Sequence, residues 1–540
     1  MFTPLSPYRL LAVLGSVLLL TVGCQRTNPV EEGIRDNILI MNPGSEPSTL
    51  DPHRNTGSPE SFIISALWEP LVDWNDEATG VVPAAAESWT LSDDGRTYTF
   101  HLRPDAQWSN GDPVTAEQWR RSFIRWITPS MAGELANFAD PVLGAFDYRT
   151  GKTTDPTSVG FRALDAHTFV IELHHPHVGF LHRLTNYPWV PVHPPSVEAA
   201  GNFYDPMTNF IQPGKLVTNG AFTLTEWEHD QYVQVMRNPH FNRSVKLNGI
   251  RFLLIENLDT AERAYRSNQL HITSGLPTFK IPGYQDAQDP ALSLVPRVGI
   301  RYLMTNTTRP PFDDARVRRA FALAMNREKL TSTVLRTGGK PAYSFVGSVP
   351  GDHHPSNVLT ESVIEAQRLL TEAGYPNGEG FPPTEYLYNT LDRNREVAEA
   401  LQQMWQTNLG VKVSIRNEEW KVFLSTRHQL NYQIARAGWL PFTPSPLELY
   451  ELVTAASGSN ETGWSHPRYE ALYLEALHTM DDTARFKLMD EMDEILREEM
   501  PVIPTAYYSI PRLVHPSVEG WPHNHLEAFV WRHIGFRPSP

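Results

Sequence analysis

The stretch from Ala84 to Trp126 constrains the fold of this 540-residue chain more than any other part of it. Asp94-Gly95 is a tight-turn dipeptide, and polar and apolar side chains alternate from Thr97 to Leu102, as in a half-buried strand. Thr115, with Gln118 three residues later, makes a capping box and predicts the start of a helix. The stretch is therefore predicted to form a β-hairpin followed by a helix, a unit typical of α/β proteins.

Length, charge and the absence of catalytic motifs narrow the possible functions. A chain of 540 residues is too long for one hydrophobic core, so two or three domains are expected. The formal net charge of −15 argues against nucleic-acid binding, which needs a basic surface. No nucleophile elbow, zinc-protease motif or Walker A motif is present, because Gly338-Gly339-Lys340 lacks the first glycine and the Ser or Thr of the Walker pattern. We therefore predict a protein that is not an enzyme.

The sequence predicts no metal site and no cofactor. Its single cysteine excludes an internal disulfide and a cysteine-based metal site. His174, His175 and His177 follow the predicted strand Thr168–Leu173, and clustered imidazoles can bind metals. Adjacent residues at a strand end point to opposite faces, however, and no carboxylate lies at ligand spacing. We predict a loop at these histidines.

The amino terminus has the pattern of an exported protein. The apolar run from Leu10 to Leu20 is too short to span a bilayer and predicts a secretory signal peptide at residues 1–23. Gly followed by Cys24 is similar to a bacterial lipobox, although Thr21 stands where a leucine is usual. That similarity implies lipidation of Cys24, with a soluble exported protein or a chance cysteine as alternatives. Residues 24–36 are interpreted as a flexible tether, and the mature chain is expected in the periplasm or cell envelope.

Four runs of residues, taken together, carry a family resemblance. The order E-S-W, D-G, Y-T-F-x-L-R, W-S-N-G-D-P-V-T-A occupies residues 87–116, and N-G-A-F-x-L-x-x-W with R-N-P-x-F occupies 219–241. Residues 302–312 and 417–439 supply two further matches. The chain closely resembles the bacterial solute-binding proteins of family 5, the OppA/DppA-like receptors of ABC importers for oligopeptides, dipeptides and nickel. The resemblance covers roughly residues 38–540.

The resemblance implies an α/β architecture of the type II periplasmic-binding-protein kind, with two lobes around a ligand cleft and a third, inserted domain. The first lobe would be discontinuous, built from residues 37–70, 196–297 and 509–540. The inserted domain would be residues 71–195, and the other lobe residues 298–508.

In such receptors the lobes close on an extended peptide, which adds as a strand to a sheet edge. The resemblance therefore implies an oligopeptide ligand, the permease subunits of an ABC importer as partner, and a monomer. The matching edge runs from Ala435 to Leu440, where Gly438 and Leu440 would expose backbone groups. Arg436 matches a position that binds a peptide carboxylate, which a guanidinium grips with two hydrogen bonds. Arg427 and His428 match other positions that face the pocket.

The remaining matched residues lie elsewhere along the expected cleft. Ser58 and Glu60 begin a helix that offers backbone groups to the ligand, although Glu60 also suits a helix first turn, where the dipole favours an acid. The matched aromatic cleft walls are Trp420, Trp439, Tyr508 and Tyr302.

The chain departs from the family pattern at Phe442, which stands where peptide receptors carry an aspartate that pairs with the ligand ammonium. A buried ammonium without a counter-charge is costly, so a free amine would need Glu60, Glu448 or Glu451 as acceptor. The ligand could instead have a blocked amine, or be an oligosaccharide or a metal chelate. A sensor that presents its ligand to a signalling partner is a further alternative to uptake.

Overall fold

The computed structural model describes residues 28–538 except 56–57, 132, 134, 348–352, 357, 442 and 444. The predicted signal peptide, the lipidation site at Cys24 and Phe442 lie outside the described residues. Ser58 and Trp420 each begin a helix, but their side chains are also outside the description.

The strands are, in chain order, β1 Ile38–Gly44, β2 Val72–Trp74, β3 Val81–Pro83, β4 Ala86–Leu91, β5 Thr97–Leu102, β6 Phe161–Ala163, β7 Thr168–Glu172, β8 Phe222–Glu228, β9 Tyr232–Arg237, β10 Gly249–Leu254, β11 Leu292–Thr305, β12 Thr384–Asn389, β13 Val413–Glu418, β14 Ile434–Trp439, β15 Val502–Leu513, β16 Val518–Glu519 and β17 Gly535–Phe536. The α-helices are α1 Pro29–Asp36, α2 Ser58–Leu67, α3 Ala116–Ile127, α4 Ala145–Arg149, α5 Phe180–Arg183, α6 Pro194–Ala200, α7 Leu258–Arg266, α8 Ile281–Asp286, α9 Ala315–Leu323, α10 Arg327–Lys329, α11 Val363–Glu372, α12 Asp392–Leu409, α13 Trp420–His428, α14 Leu447–Glu451, α15 Pro467–His478 and α16 Asp482–Glu499. None of these helices combines the length and the apolar run needed to cross a membrane.

A four-stranded sheet in the order β1-β10-β9-β8 is the centre of what we call the first lobe. β1 is parallel to β10, and the other neighbours are antiparallel. Five consecutive residues of β1 are buried, as expected where a parallel strand is covered on both faces. The apolar helix α2 packs on this sheet, with Ile63 and Leu67 in the same core cluster as Leu39 and Met41.

The prediction of a flexible tether over residues 24–36 is wrong for its second half, because Pro29–Asp36 forms the helix α1. Asn28 caps the helix by accepting a hydrogen bond from Glu31 N, and proline suits the first helical position. Val30 is buried, and its N–H donates to Asn268 O at 3.1 Å. Val30 O also lies 3.2 Å from His271 Nε2, so buried contacts hold this mostly polar segment against the first lobe.

A second four-stranded sheet, in the order β4-β5-β7-β6, forms the inserted domain together with α3. The predicted hairpin is confirmed as β4 and β5, and Gly95 has the positive φ of 69° that its turn requires. The predicted capping box at Thr115 and Gln118 is also confirmed. Aromatic side chains fill the core between sheet and helix, where the rings of Phe123 and Trp189 meet edge-to-face at 5.3 Å.

A five-stranded sheet in the order β13-β12-β14-β11-β15 is the centre of what we call the second lobe. β11 and β15 pair from Leu292 and Leu513 onward, with a register shift between Pro296 and Ile300. At their far end these strands reach the first lobe, where Thr273 N donates to Leu513 O at 3.0 Å. Two long strands therefore join the lobes, while the domain boundaries given above stay predictions.

Candidate functional site

Strand β14 has a free edge near its carboxyl end. Asn306 N donates to Gln433 O at 3.0 Å, which sets the alternation of hydrogen bonds in the β11–β14 ladder. By that alternation the N–H and C=O of Ala437 face β11, and those of Gly438 face away from it. β12 accompanies that other side of β14 only as far as Ala435. Among the described residues the Gly438 backbone has no partner, so it can accept an added strand.

Three residues share one face of the sheet beside this edge. Arg301 lies opposite Gly438 in the ladder, and the Arg301 guanidinium carbon stands 4.1 Å from the centre of the Tyr508 ring. A Cβ atom added at Gly438 would come closer than 3.0 Å to the Tyr508 hydroxyl oxygen. A side chain at position 438 would therefore displace the Tyr508 ring, which occupies the space where that side chain would stand.

Arg436 lies two residues before Gly438 and so faces the same side of the sheet. It is half-buried, and its Nη1 donates to Asn389 Oδ1 at 3.2 Å. No described carboxylate forms an ion pair with it. Arg436 can therefore bind an incoming anion without first breaking an internal ion pair. Leu440, just beyond the end of β14, exposes 39% of its surface next to this edge.

Arg427 is already neutralised by another residue of the protein. Its Nη2 lies 2.5 Å from Glu461 Oε2, and both side chains are largely buried. His428 is exposed and lies 3.9 Å from the same carboxylate. A ligand carboxylate would have to compete with Glu461 for Arg427, whereas Arg436 presents no such competition.

Two predicted cleft walls lie on the opposite face of the sheet. Tyr302 is buried in the second-lobe core, where its ring meets Phe345 edge-to-face at 5.0 Å, and burial raises the pKa of its hydroxyl to about 12. Consecutive strand residues alternate in direction, so Tyr302 points into the core and Arg301 points to the face that carries Gly438. The assignment of Tyr302 to a cleft wall stays a prediction. Trp439 packs on that same core, and its indole N–H donates to Glu448 Oε1 at 3.1 Å.

The three carboxylates proposed as ammonium acceptors are all engaged. Glu60 is buried in the first turn of α2 and accepts hydrogen bonds from Ser48 N at 2.7 Å and Ser48 Oγ at 2.8 Å. Glu448 accepts from Trp439 and from Thr443 N and Oγ1, both at 3.0 Å. Glu451 lies 3.9 Å from Arg183 and is also hydrogen-bonded to the Tyr473 hydroxyl.

Two cavities adjoin the end of β14. One of about 310 Å³ lies between α2, the Arg297 region and the carboxyl-terminal segment, and Leu440 is part of its wall. A larger one of about 950 Å³ lies between the inserted domain and the second lobe and is lined by Trp439, Glu448 and Glu451. Both open spaces are large enough to receive side chains of a bound ligand.

The histidine-rich segment after β7 is a loop, as predicted. His174 Nε2 accepts from Gly144 N at 3.2 Å, and burial lowers the pKa of His177 to about 3. A different group, His353 with Asp490 and Asp493, brings its donor atoms within 4.8 Å of one another. Sequence reasoning missed it because more than a hundred residues separate the histidine from the aspartates.

Sequence reasoning also missed Arg301 and Arg393 as neighbours of Arg436. Burial lowers the pKa of Arg301 to about 10, and the positive charges of Arg436 and Arg393 contribute to this lowering. The alternation of β11 could have pointed to Arg301. No local pattern marks Arg393, which lies in the first turn of α12.

A family model and individual proteins match this chain. The model described as bacterial extracellular solute-binding proteins, family 5, middle, matches residues 80–461. The periplasmic oligopeptide-binding protein OppA of Escherichia coli K12 is 32% identical over 500 residues, which is 89% of each chain.

Two solved structures show the same fold. The murein tripeptide binding protein MppA of Escherichia coli superposes with a TM-score of 0.78 at 30% identity, covering 92% of this chain and 98% of that one. Haemophilus influenzae OppA in complex with the peptide RPPGFSPFR gives a TM-score of 0.75 at 30% identity, covering 93% and 99%. The α/β fold with lobes around a cleft, expected from the sequence, is confirmed by these likenesses.

Proposed function

The chain belongs to the family 5 bacterial extracellular solute-binding proteins, and from that membership we propose that it is the extracytoplasmic substrate-binding component of a peptide ABC importer. Members of this family are substrate-binding proteins and not enzymes. The ligand would be an extended oligopeptide, held between the two lobes and presented to the permease subunits.

The observation that carries this proposal is the Gly438 backbone, which has no partner among the described residues, next to the Arg436 guanidinium, which forms no ion pair with a described carboxylate. An extended peptide can hydrogen-bond to the free edge of β14, and its terminal carboxylate can then reach Arg436. Backbone hydrogen bonds do not depend on side-chain identity, so such a site tolerates many sequences. β11 and β15, which join the lobes, are suited to act as the hinge on which the cleft closes.

Calorimetric titration with trialanine and its carboxyl-terminal amide tests the role assigned to Arg436. A charge-assisted hydrogen bond contributes about 1.5–3 kcal/mol, so the free acid should bind roughly ten- to a hundredfold more tightly than the amide. Arg436→Gln should remove that difference. Arg368→Gln, on an exposed helix face, is the matched control and should retain it. If no peptide of two to five residues binds, the proposal fails, and titration with oligosaccharides and nickel chelates decides between the remaining ligands.

The aromatic residue at position 442 favours a second possibility, a receptor for peptides whose amine is blocked or ignored. Free and N-acetylated peptides should then bind equally well. If acetylation abolishes binding, another carboxylate replaces the family aspartate, and Glu448→Gln and Glu451→Gln identify which one.

We further propose that the mature protein is a monomer anchored in the cell envelope through lipid on Cys24. Mass spectrometry of the mature amino terminus should find a diacylated cysteine, and Cys24→Ser should release the protein from the membrane fraction. Retention of Cys24→Ser in the membrane fraction would argue against the anchor.

Peptide uptake by cells with and without the protein separates transport from sensing.

A further inference from the structure

Three arginines meet at the free edge of β14. Arg301 lies on β11 opposite Gly438, Arg436 lies two residues along β14 on the same face, and Arg393 lies in the first turn of α12. Burial lowers the pKa of Arg301, and the nearby charges of Arg436 and Arg393 lower it further. All three side chains are half-buried, so they share a partly desolvated space beside the proposed peptide edge.

The contacts of these arginines are with neutral groups. Arg301 lies over the Tyr508 ring, Arg436 donates to Asn389 Oδ1, and Arg393 Nη2 donates to Thr278 Oγ1 at 2.6 Å. Among the described side chains no carboxylate forms an ion pair with any of the three. Glu396, three residues further along the helix, attracts Arg393 without reaching ion-pair distance.

Three other buried arginines of the second lobe each form an ion pair with a carboxylate. Arg327, Arg318 and Arg427 are each largely or fully buried, and each has a glutamate partner, at 3.0, 3.1 and 2.5 Å respectively. The charge of each of these three arginines is thus neutralised by a glutamate of the protein itself. The three arginines beside Gly438 have no ion-pair partner in the part of the chain that the structure describes, and they lie at the point where the proposed ligand would bind.

Three positive charges held together out of bulk water repel one another, and one peptide carboxylate neutralises only one of them. The proposed function assigns the terminal carboxylate to Arg436. A second carboxylate a few ångströms away would meet Arg301, whose guanidinium is fixed by stacking on Tyr508.

We propose that the cleft selects peptides whose carboxyl-terminal residue carries a second carboxylate, with Arg436 binding the terminal carboxylate and Arg301, supported by Arg393, binding the other. This inference rests on the proposed function and names its substrate class. The missing aspartate at position 442 is in keeping with it, because a cleft that takes an anionic ligand needs fewer acidic groups of its own.

The test compares Ala-Ala-Glu with Ala-Ala-Gln, which have nearly the same shape and differ by one charge. Calorimetric titration of the full mature chain should show Ala-Ala-Glu binding at least about tenfold more tightly, a preference that shrinks as ionic strength rises. Arg301→Gln should bring the two peptides within about twofold of each other, because the affinity for Ala-Ala-Glu should fall much more than the affinity for Ala-Ala-Gln. Arg368→Gln is again the matched control and should keep the full preference.

The outcomes separate this inference from the proposed function. Equal binding of both peptides by the wild-type chain overturns the selectivity and leaves the peptide-binding function intact. Loss of affinity for both peptides to the same extent in Arg301→Gln also overturns it, because Arg301 would then act through the scaffold. The melting temperature gives a second readout: removing an unpaired charge should leave it unchanged or raise it, and a fall would mark Arg301 as structural. If no peptide binds at all, the proposed peptide-binding function is itself wrong, and the selectivity proposal falls with it.

Discussion

Substitution of Gly438 by alanine tests the geometry of the cleft face at its tightest point. The new methyl group would come closer than 3.0 Å to the Tyr508 hydroxyl oxygen, whereas ordinary contact begins at 3.4 Å. The Tyr508 ring must therefore shift by several tenths of an ångström at least. Because that ring is half-buried, it can turn towards the cleft, where it leaves Arg301 and obstructs the edge of β14.

A bound peptide must push the ring back against the new methyl group, and overpacking of this kind costs about 1–3 kcal/mol, which corresponds to a roughly five- to 150-fold loss of peptide affinity. The melting temperature should change little, because the displaced group is the free end of a side chain. Calorimetric titration with one tight-binding peptide measures the loss.

The double variant Gly438→Ala/Tyr508→Phe supplies the control. Without the hydroxyl, the nearest Tyr508 atom to the new methyl group is the ring carbon at 3.3 Å, a tight contact that a small shift relieves. The double variant should therefore bind as Tyr508→Phe does, and the double-mutant cycle should give a large coupling energy. Unchanged affinity in Gly438→Ala, or additive losses in the double variant, would refute the assigned geometry.

Two further predictions concern stability. Glu461→Gln leaves Arg427 largely buried without its counter-charge and should lower the free energy of unfolding in urea by about 1–3 kcal/mol. Glu494→Gln, which removes a more exposed pair with Arg497, should change that free energy by less than about 1 kcal/mol. Equal effects of the two substitutions would contradict the difference in burial. Burial lowers the pKa of His271 to about 4, so between pH 6.5 and 4 only the unfolded chain takes up a proton at this residue. The contribution of His271 to the free energy of unfolding should therefore decrease as the pH is lowered, by up to about 1.4 kcal/mol per pH unit. His271→Gln should flatten that dependence, and an unchanged slope would contradict the assignment.

Local signals predicted local structure well. The Asp94-Gly95 turn and the Thr115–Gln118 capping box act within a few residues, so the sequence alone predicts the hairpin and the helix that follows. The helix at Pro29–Asp36 had a local signal too, an N-cap asparagine before proline, but its polar composition favoured a tether.

Features of the cleft that depend on distant residues were not predictable in this way. Arg427 and Glu461 are 34 residues apart, so nothing in the sequence shows that the charge of Arg427 is already neutralised. Tyr302 and Arg301 are adjacent, and only the packing of the whole lobe decides which of them is buried in the core and which lies beside Tyr508. Arg393 reaches the site because β12 and α12 bring it there.

The central claim is that a peptide adds as a strand to β14 at Gly438. Amide hydrogen exchange, resolved to single residues by mass spectrometry with and without saturating peptide, tests this directly. In the free protein the Gly438 amide should exchange rapidly, and the Ala437 amide, which bonds to β11, should be protected and serve as the internal control. We predict that bound peptide slows exchange at Gly438 at least tenfold and leaves Ala437 protected as before. Saturation with peptide while Gly438 still exchanges rapidly would contradict the claim.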